Sequence, residues 1–543
     1  MSASPETAAS AEATRDRQSI AKRASVVGLG TLLSRALGLG RDLVLAALFP
    51  RAATDLFFVA FTIPNALRQL LAEGALSSSF VPVLAGLDAK EGKKAAEEFY
   101  AKLRGAMWIV LALFTVAGVA AAPLLCELFA AGFHARAGAF EKTVGLTRVL
   151  FPYLLFMGLA ALSAGALQTR RLFAVAAFAP ALLNVAMIVA AFALPPVLAA
   201  RGIDPLYALA IGALVGGLLQ VVAQLPALRR AGFTAKLRID LKDPNVREVI
   251  RRIGPMTLGL MIYEIDLVLS RRFLSECGEG ANSYFYYAQR LCDFPQGIFA
   301  LALATATLPS LSALAARGDR EELAKTAAHA LRLSLFVGLP ATALLSALAR
   351  PLVTAAFARG AFDQTSIDGT TSALVVQGLG VFSVAVVRQL VPLFYSLGNT
   401  RTPVLVSGLD LLAFIAIALS MRGPLGHVGI SWAVTGSSIV QMLLLMRALR
   451  RELPELRWAT VLPSAGRTLI ASIAAAAVAF GVGWASARMP RVPYVGGFVP
   501  ALLGGLAFLV TFVVAGKLLG NEEQAQLTAG LARRLRRGRA PAR

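Results

Sequence analysis

The sequence predicts an all-α polytopic membrane protein with about fourteen transmembrane helices. Three observations lead there. Of 543 residues, 57% are apolar and only 15% are charged, and the mean hydropathy is +0.68. A soluble domain carries nearer a quarter of charged residues, so an ordinary soluble enzyme and a disordered chain are both excluded. Apolar runs also recur about every 35–40 residues, the spacing of ~20-residue membrane helices joined by short loops. Finally, the net charge of +22 is distributed unevenly. If the N-terminus is placed in the cytoplasm, inside segments hold about three times as many Lys and Arg as outside segments. This bias puts both termini inside and accounts for much of the positive charge without nucleic acid.

The elements follow in order. Residues 1–23 are polar, rich in Ala, Ser and Glu, and lack the apolar core of a signal peptide, so they read as a disordered cytoplasmic tail. Six apolar segments fall within 24–227, at about 24–49, 55–86, 105–132, 144–168, 171–199 and 204–227. A basic cytoplasmic linker occupies 228–247. Six more segments fall within 248–446, at about 248–274, 281–314, 328–349, 366–397, 402–421 and 425–446. Two further spans fill 447–519, and 520–543 forms a basic tail. Its arginines at 533, 534, 536, 537 and 539 suit anionic lipid. The stretch DAKEGKKAAEEFYAKLRGA (88–106) reads as an amphipathic surface helix. Cys126, Cys277 and Cys292 have no CxxC spacing, and three scattered histidines offer no metal site.

The two sets of six spans resemble each other at an offset of 231 residues. Pro64 then meets Pro295, Gly28 meets Gly259, Arg41 meets Arg272, and Thr169-Arg170 meets Thr400-Arg401. Six spans return the chain to its starting side, so the copies are parallel. The expected architecture is two six-helix lobes related by a pseudo-two-fold along the membrane normal, with a central cleft and two C-terminal helices outside the repeat.

The charged residues inside spans carry the functional signal. Arg35, Arg41 and Asp42 lie in the first span, and Asp55, Arg68 and Glu73 in the second. An arginine at a helix centre costs at least ~2.5 kcal/mol on insertion scales. Internal salt bridges such as Arg41–Asp55 would lower that cost. A cationic cavity for an anionic ligand would lower it too, and the planar guanidinium fork suits phosphate oxygens. Arg290 adds a fourth cation from the second lobe, and Arg388 is a weaker fifth. Gly38 and Gly40 beside these arginines, and Pro64 and Pro295 in the second and eighth spans, suit either close packing or bending that gates the cleft. Glu264, Asp266 and Asp410 are carboxylates at membrane depth. They suit ion or proton binding, or pairing with Arg271, Arg272 or Arg388. No motif of a hydrolase, kinase, metalloprotease or nucleotide-binding fold occurs, so the chain is not expected to be an enzyme.

The segments SRALGLGRD and TDLFFVAFTIPNALRQLLAEGALSSSFVPV, between Ser34 and Val83, resemble the signature of the MurJ/MviN lipid II flippases. The likeness continues through YYAQRLCDFPQG, ATLPSLS, FYSLGNTRTPV and GPLGHVGIS, covering nearly the whole chain in order. The resemblance implies membership of the multidrug/oligosaccharidyl-lipid/polysaccharide exporter superfamily. It implies a substrate, lipid II, the undecaprenyl-pyrophosphate-linked peptidoglycan precursor, moved from the inner to the outer leaflet of the bacterial cytoplasmic membrane. The family's required arginines match Arg35, Arg41, Arg68 and Arg290, and its required acid matches Asp55. Spans thirteen and fourteen would form a groove for the lipid tail. Two departures stand out. Gln289 precedes Arg290 where relatives often carry an acid. Some relatives bind sodium between spans seven, eleven and twelve, where this chain has Ser270, Phe414 and Ala418.

The expected mechanism is alternating access without an organic cofactor. The driving force is open between Na+, H+ and the membrane potential. The expected partners are lipid II, membrane lipids and cell-wall synthesis proteins. The rival readings are a cation-coupled multidrug or polysaccharide-lipid exporter of the same superfamily, and a non-transporting scaffold for cell-wall enzymes.

Overall fold

A computed structural model describes residues 5–70, 76–233, 237–297, 301–488, 497–526 and 528–529. Among the described residues every regular element is helical. The chain divides into two compact units, Met1–Arg272 and Phe273–Arg543.

The first unit contains α1 (Pro5–Leu48), α2 (Arg51–Arg68), α3 (Ser77–Lys90), α4 (Lys93–Ala120), α5 (Ala122–Ala130), α6 (Ala139–Leu150), α7 (Pro152–Thr169), α8 (Phe173–Ala199) and α9 (Tyr207–Arg230), with most of α10 (Pro244–Glu276). The segment expected as a disordered tail is helical from Pro5 onward and continuous with the first span. Small residues let these helices approach closely. A Cβ on Gly30 of α1 would lie 2.7 Å from the Ala177 carbonyl oxygen of α8. One on Gly216 of α9 would lie 2.7 Å from the Leu183 Cα, also on α8.

The amphipathic stretch expected as a surface helix is split: Asp88–Lys90 end α3, a turn follows at Glu91 and Gly92, and from Lys93 it is the first part of α4, in one unbroken helix with the third span. Its apolar face is buried: Phe99, Tyr100 and Leu103 pack with Phe80, Phe233, Val246 and Val249. The basic linker docks on this surface. The Arg238 amide donates to the Ala101 carbonyl at 3.2 Å, and Lys102 bridges Asp243 at 3.0 Å. Because Val246 and Val249 join that cluster, the start of α10 belongs to the first unit. The boundary between units therefore falls inside α10 and not in the linker.

The second unit contains the end of α10 and α11 (Ala281–Pro295), α12 (Leu301–Ala316), α13 (Arg320–Ala347), α14 (Ala349–Phe357), α15 (Gln364–Leu379), α16 (Val381–Ser396), α17 (Arg401–Leu425), α18 (His427–Glu452), α19 (Trp458–Ser486) and α20 (Phe498–Leu518). Helices α19 and α20 form a hairpin packed on α13 through Ala471, Ala475, Ala479, Phe336, Phe508 and Phe512. After α20, Gly520 takes φ +66°, a left-handed turn that suits glycine. The next residues fold back: the Asn521 amide donates to Thr468 Oγ1 at 2.9 Å, and Gln524 donates to the Val513 carbonyl at 2.8 Å. Arg332 of α13 bridges both Glu522 and Glu523.

The repeat is visible in the helix breaks. The fourth span is interrupted at Phe151 between α6 and α7, and the tenth is bent by 42° at Gly380 between α15 and α16. The offset of 231 brings these breaks within two residues of each other.

Among the described residues nine helices are long and apolar enough to cross a membrane, or ten with the bent pair. The expected fourteen is not reached on this measure. The four expected spans not counted among the described residues are those of α1, α2–α3, α10 and α11–α12, the same segments whose charges and prolines the sequence singles out.

Candidate functional site

In the first unit, the candidate arginines occupy three different environments. Arg35 on α1 is exposed, with no carboxylate partner among the described residues. Two turns further, Arg41 is buried at 6% exposure. Its Nε and a terminal nitrogen donate to Asp42 Oδ1 at 3.0 and 2.8 Å, and the other terminal nitrogen lies 3.8 Å from Met187 Sδ on α8. The two bonds to this one carboxylate oxygen neutralise a charge that would be costly to bury alone. Arg68 ends α2, held by the Asn65 side chain at 2.9 Å, and is half-buried. Glu264 of α10 interacts electrostatically with Arg68. The sequence reading weighed other partners for Glu264, since nothing in the primary structure links α10 to the end of α2.

Asp55 is fully buried, and its Oδ2 accepts from Arg136 at 2.9 Å. Arg136 follows the short helical turn Ala131–Ala135 and also covers the Phe133 ring. Sequence reasoning missed Arg136, because a loop arginine 81 residues away carries no pattern. Gly38 faces Asn184 of α8, whose amide donates to the Ser34 carbonyl at 3.1 Å. Helix α1 runs unbroken through Gly38 and Gly40. Glu73 lies outside the described residues.

In the second unit, Arg290 of α11 rests on Tyr286 one turn earlier. Its Nε and a terminal nitrogen donate to the Tyr286 hydroxyl at 3.1 and 2.9 Å, and its centre lies 5.0 Å from that ring. The acid absent at Gln289 has a counterpart one turn on, since Asp293 Oδ2 lies 3.8 Å from Arg290. Arg388 of α16 reaches Gln296, just beyond Pro295, at 3.4 Å.

Proline and helix geometry coincide in both units. Pro64 lies inside α2, and a wide π-type turn begins at Gln69; Pro295 closes α11, and the same kind of turn begins at Gln296. Proline removes one rung of the helical ladder, and π turns are frequent where helices serve function.

The remaining carboxylates lie one in each unit. Asp266 is half-buried on α10. Asp410 of α17 accepts a hydrogen bond from Ser437 of α18. Of the three positions set against a sodium site by resemblance, Ser270 is buried and keeps a hydroxyl, while Phe414 and Ala418 are fully buried, and the Phe414 ring stacks on Phe273 at 6.3 Å. A phenyl ring and a methyl group offer no oxygen to a cation.

This assembly of apolar helices, with arginines and carboxylates set inside them, is that of a polytopic membrane transporter. Residues 44–503 match the family described as Lipid II flippase MurJ, so the chain belongs to that family. It is 34% identical over 427 residues to the lipid II flippase MurJ of Burkholderia cenocepacia, covering 78% of this chain and 82% of the relative. It is 35% identical over 436 residues to the probable lipid II flippase MurJ of Vibrio cholerae, covering 79% and 82%. The fold is similar to a solved lipid II flippase MurJ in an inward closed conformation. That match has a TM-score of 0.73 at 21% identity and covers 91% of this chain and 99% of that one. An inward-facing multidrug resistance MATE family transporter of the MOP superfamily matches at TM-score 0.64 and 17% identity, covering 78% and 95%.

Proposed function

We propose that this chain flips lipid II from the inner to the outer leaflet of the bacterial cytoplasmic membrane, with both termini in the cytoplasm. The observation that carries this reading is the placement of Arg35, Arg41 and Arg68 on α1 and α2, in a chain of the lipid II flippase MurJ family. Arg41 is already neutralised by Asp42, so it shapes the site more than it supplies charge. Arg35 is exposed and Arg68 half-buried, which leaves both accessible to an anionic headgroup. In the second unit, Arg290, oriented by Tyr286, is a further guanidinium suited to an anionic headgroup. Guanidinium groups bind the pyrophosphate, and the polyprenyl chain stays in hydrocarbon, so only the polar head has to cross.

The membrane potential supplies the drive in this reading. Moving one negative charge outward gains ~2.3 kcal/mol per 100 mV when the inside is negative. The apolar side chains of Phe414 and Ala418 support a mechanism without sodium at that place. The acidic and aromatic sites suited to cationic drugs would need the opposite polarity.

The test is complementation of cells depleted of their own flippase. Arg35→Ala and Arg290→Ala are expected to abolish growth support while the protein still reaches the membrane. Normal growth with both variants would overturn the site assignment.

A further inference from the structure

The second unit contains an apolar groove of about 310 Å³ that the transport reading does not use. It is walled by Leu331 and Leu335 of α13, Phe382 of α16, Met442 and Met446 of α18, and the first half of α19. Leu462 and Leu469 line it and are 54% and 44% exposed, so it opens on the unit's surface. In a membrane-spanning bundle that surface meets lipid. None of its lining residues belongs to α20, which packs on α19 and α13 through Phe508 and Phe512.

One end of the groove is chemically distinct. Trp458, the first residue of α19, lines it there. Its indole Nε1 is buried and has no hydrogen-bond partner among the described residues. The Arg450 guanidinium lies 5.2 Å from the Trp458 ring centroid. Arg447, Arg450, Arg451 and Arg457 are all exposed around this end, and none has a carboxylate partner among the described residues. The two nearby acids are engaged elsewhere: Glu455 pairs with Arg320 at 2.8 Å, and Glu452 accepts from Asn399 at 3.2 Å.

We propose that this groove holds one anionic glycerophospholipid from the leaflet that the basic helix ends face, as a resident lipid and not as cargo. One acyl chain fills the groove, and the phosphate meets Arg450, Arg457 and the waiting Trp458 N–H. The combination selects this occupant. A free phosphate would make no use of the apolar walls, and a zwitterionic lipid would leave the excess guanidinium charge uncompensated. Clustered basic residues at a membrane surface favour anionic headgroups, and tryptophan is at home at that depth.

The groove can be read by fluorescence, because Trp458 lines it. The full chain is prepared with Trp108, Trp432 and Trp484, all at least 36% exposed, replaced by Phe. Emission from Trp458 is then followed in vesicles mixing brominated with ordinary lipid. Brominated phosphatidylglycerol is expected to quench Trp458 at about fivefold lower mole fraction than brominated phosphatidylcholine. Arg450→Gln with Arg457→Gln is expected to bring that ratio to about one. Equal quenching by the two lipids in the Trp458-only chain would overturn the proposal, and that comparison needs no arginine variant to fold. Recovery of emission on adding undecaprenyl phosphate would overturn it as well, since the groove would then serve the transported lipid's tail. The readout involves no transport, so it fails or succeeds separately from the flippase reading.

Discussion

Removing Arg332 is expected to be far more damaging than removing one of its two partners, Glu522. Arg332 bridges both Glu522 and Glu523 and ties the segment after α20 to α13. The side-chain exposures set the magnitudes: 17% for Arg332, 60% for Glu522 and 1% for Glu523. Glu523 Oε2 is also buried with no hydrogen-bond partner, so Arg332 is the chief compensation for that charge among the described residues. Breaking a buried pair by deleting one member costs about 3–5 kcal/mol, because the other charge stays buried. An exposed pair is worth about 0.2–1 kcal/mol. Arg332→Leu should therefore lower stability by about 3 kcal/mol or more, and Glu522→Gln by less than about 1 kcal/mol. The double variant Arg332→Leu with Glu523→Gln removes both buried charges, so it should be more stable than Arg332→Leu alone. Thermal unfolding in detergent, arranged as a double-mutant cycle, measures these differences. Equal losses for Arg332→Leu and Glu522→Gln, or no coupling between Arg332 and Glu523, would refute the reasoning.

Two further predictions concern the linker and the second unit's arginine. Burial works to raise the Asp243 carboxyl, but the Lys102 hydrogen bond and the backbone amides of Val246 and Asn245 outweigh it and hold the group below the usual carboxylate range. Its contribution is thus complete above about pH 4 and is lost as the pH falls through the depressed value. Hydrogen exchange over residues 237–243, corrected for intrinsic rates, should show protection fading on acidification, and Asp243→Asn should remove that dependence. Tyr286→Phe keeps the ring beneath Arg290 but removes the hydroxyl accepting its two hydrogen bonds. Lipid II affinity should fall by about tenfold with the melting temperature unchanged, the loss expected for a charge-assisted bond.

The helices were legible in the sequence, and the partners of their charged side chains were not. Apolar periodicity made the helices readable, and the arginines stood out because charge inside an apolar run is costly. The pair weighed for Arg41 was Asp55, whereas the structure shows Asp42, the next residue, as its partner, and Tyr286, one turn before Arg290, carried no signal. Long-range partners were not legible either, because no periodicity encodes them. Arg136 with Asp55, Arg332 with Glu523, and Glu264 with Arg68 join residues from distant helices or loops. The misread surface helix has a similar cause. The apolar face of residues 93–106 marks burial, but only the fold shows that protein covers it. The boundary at Arg272 was hidden because Val246 and Val249 look like any other apolar helix positions.

The central claim is tested most directly by the leaflet accessibility of lipid II in cells depleted of their native flippase and carrying this chain. An externally added lipid II-cleaving toxin reports the outer leaflet, with and without an uncoupler. The account predicts that cleavage returns when the chain is expressed and collapses when the membrane potential is dissipated. A well-expressed chain that restores no cleavage would contradict the flippase reading. Cleavage that returns but ignores the potential would contradict the electrostatic drive.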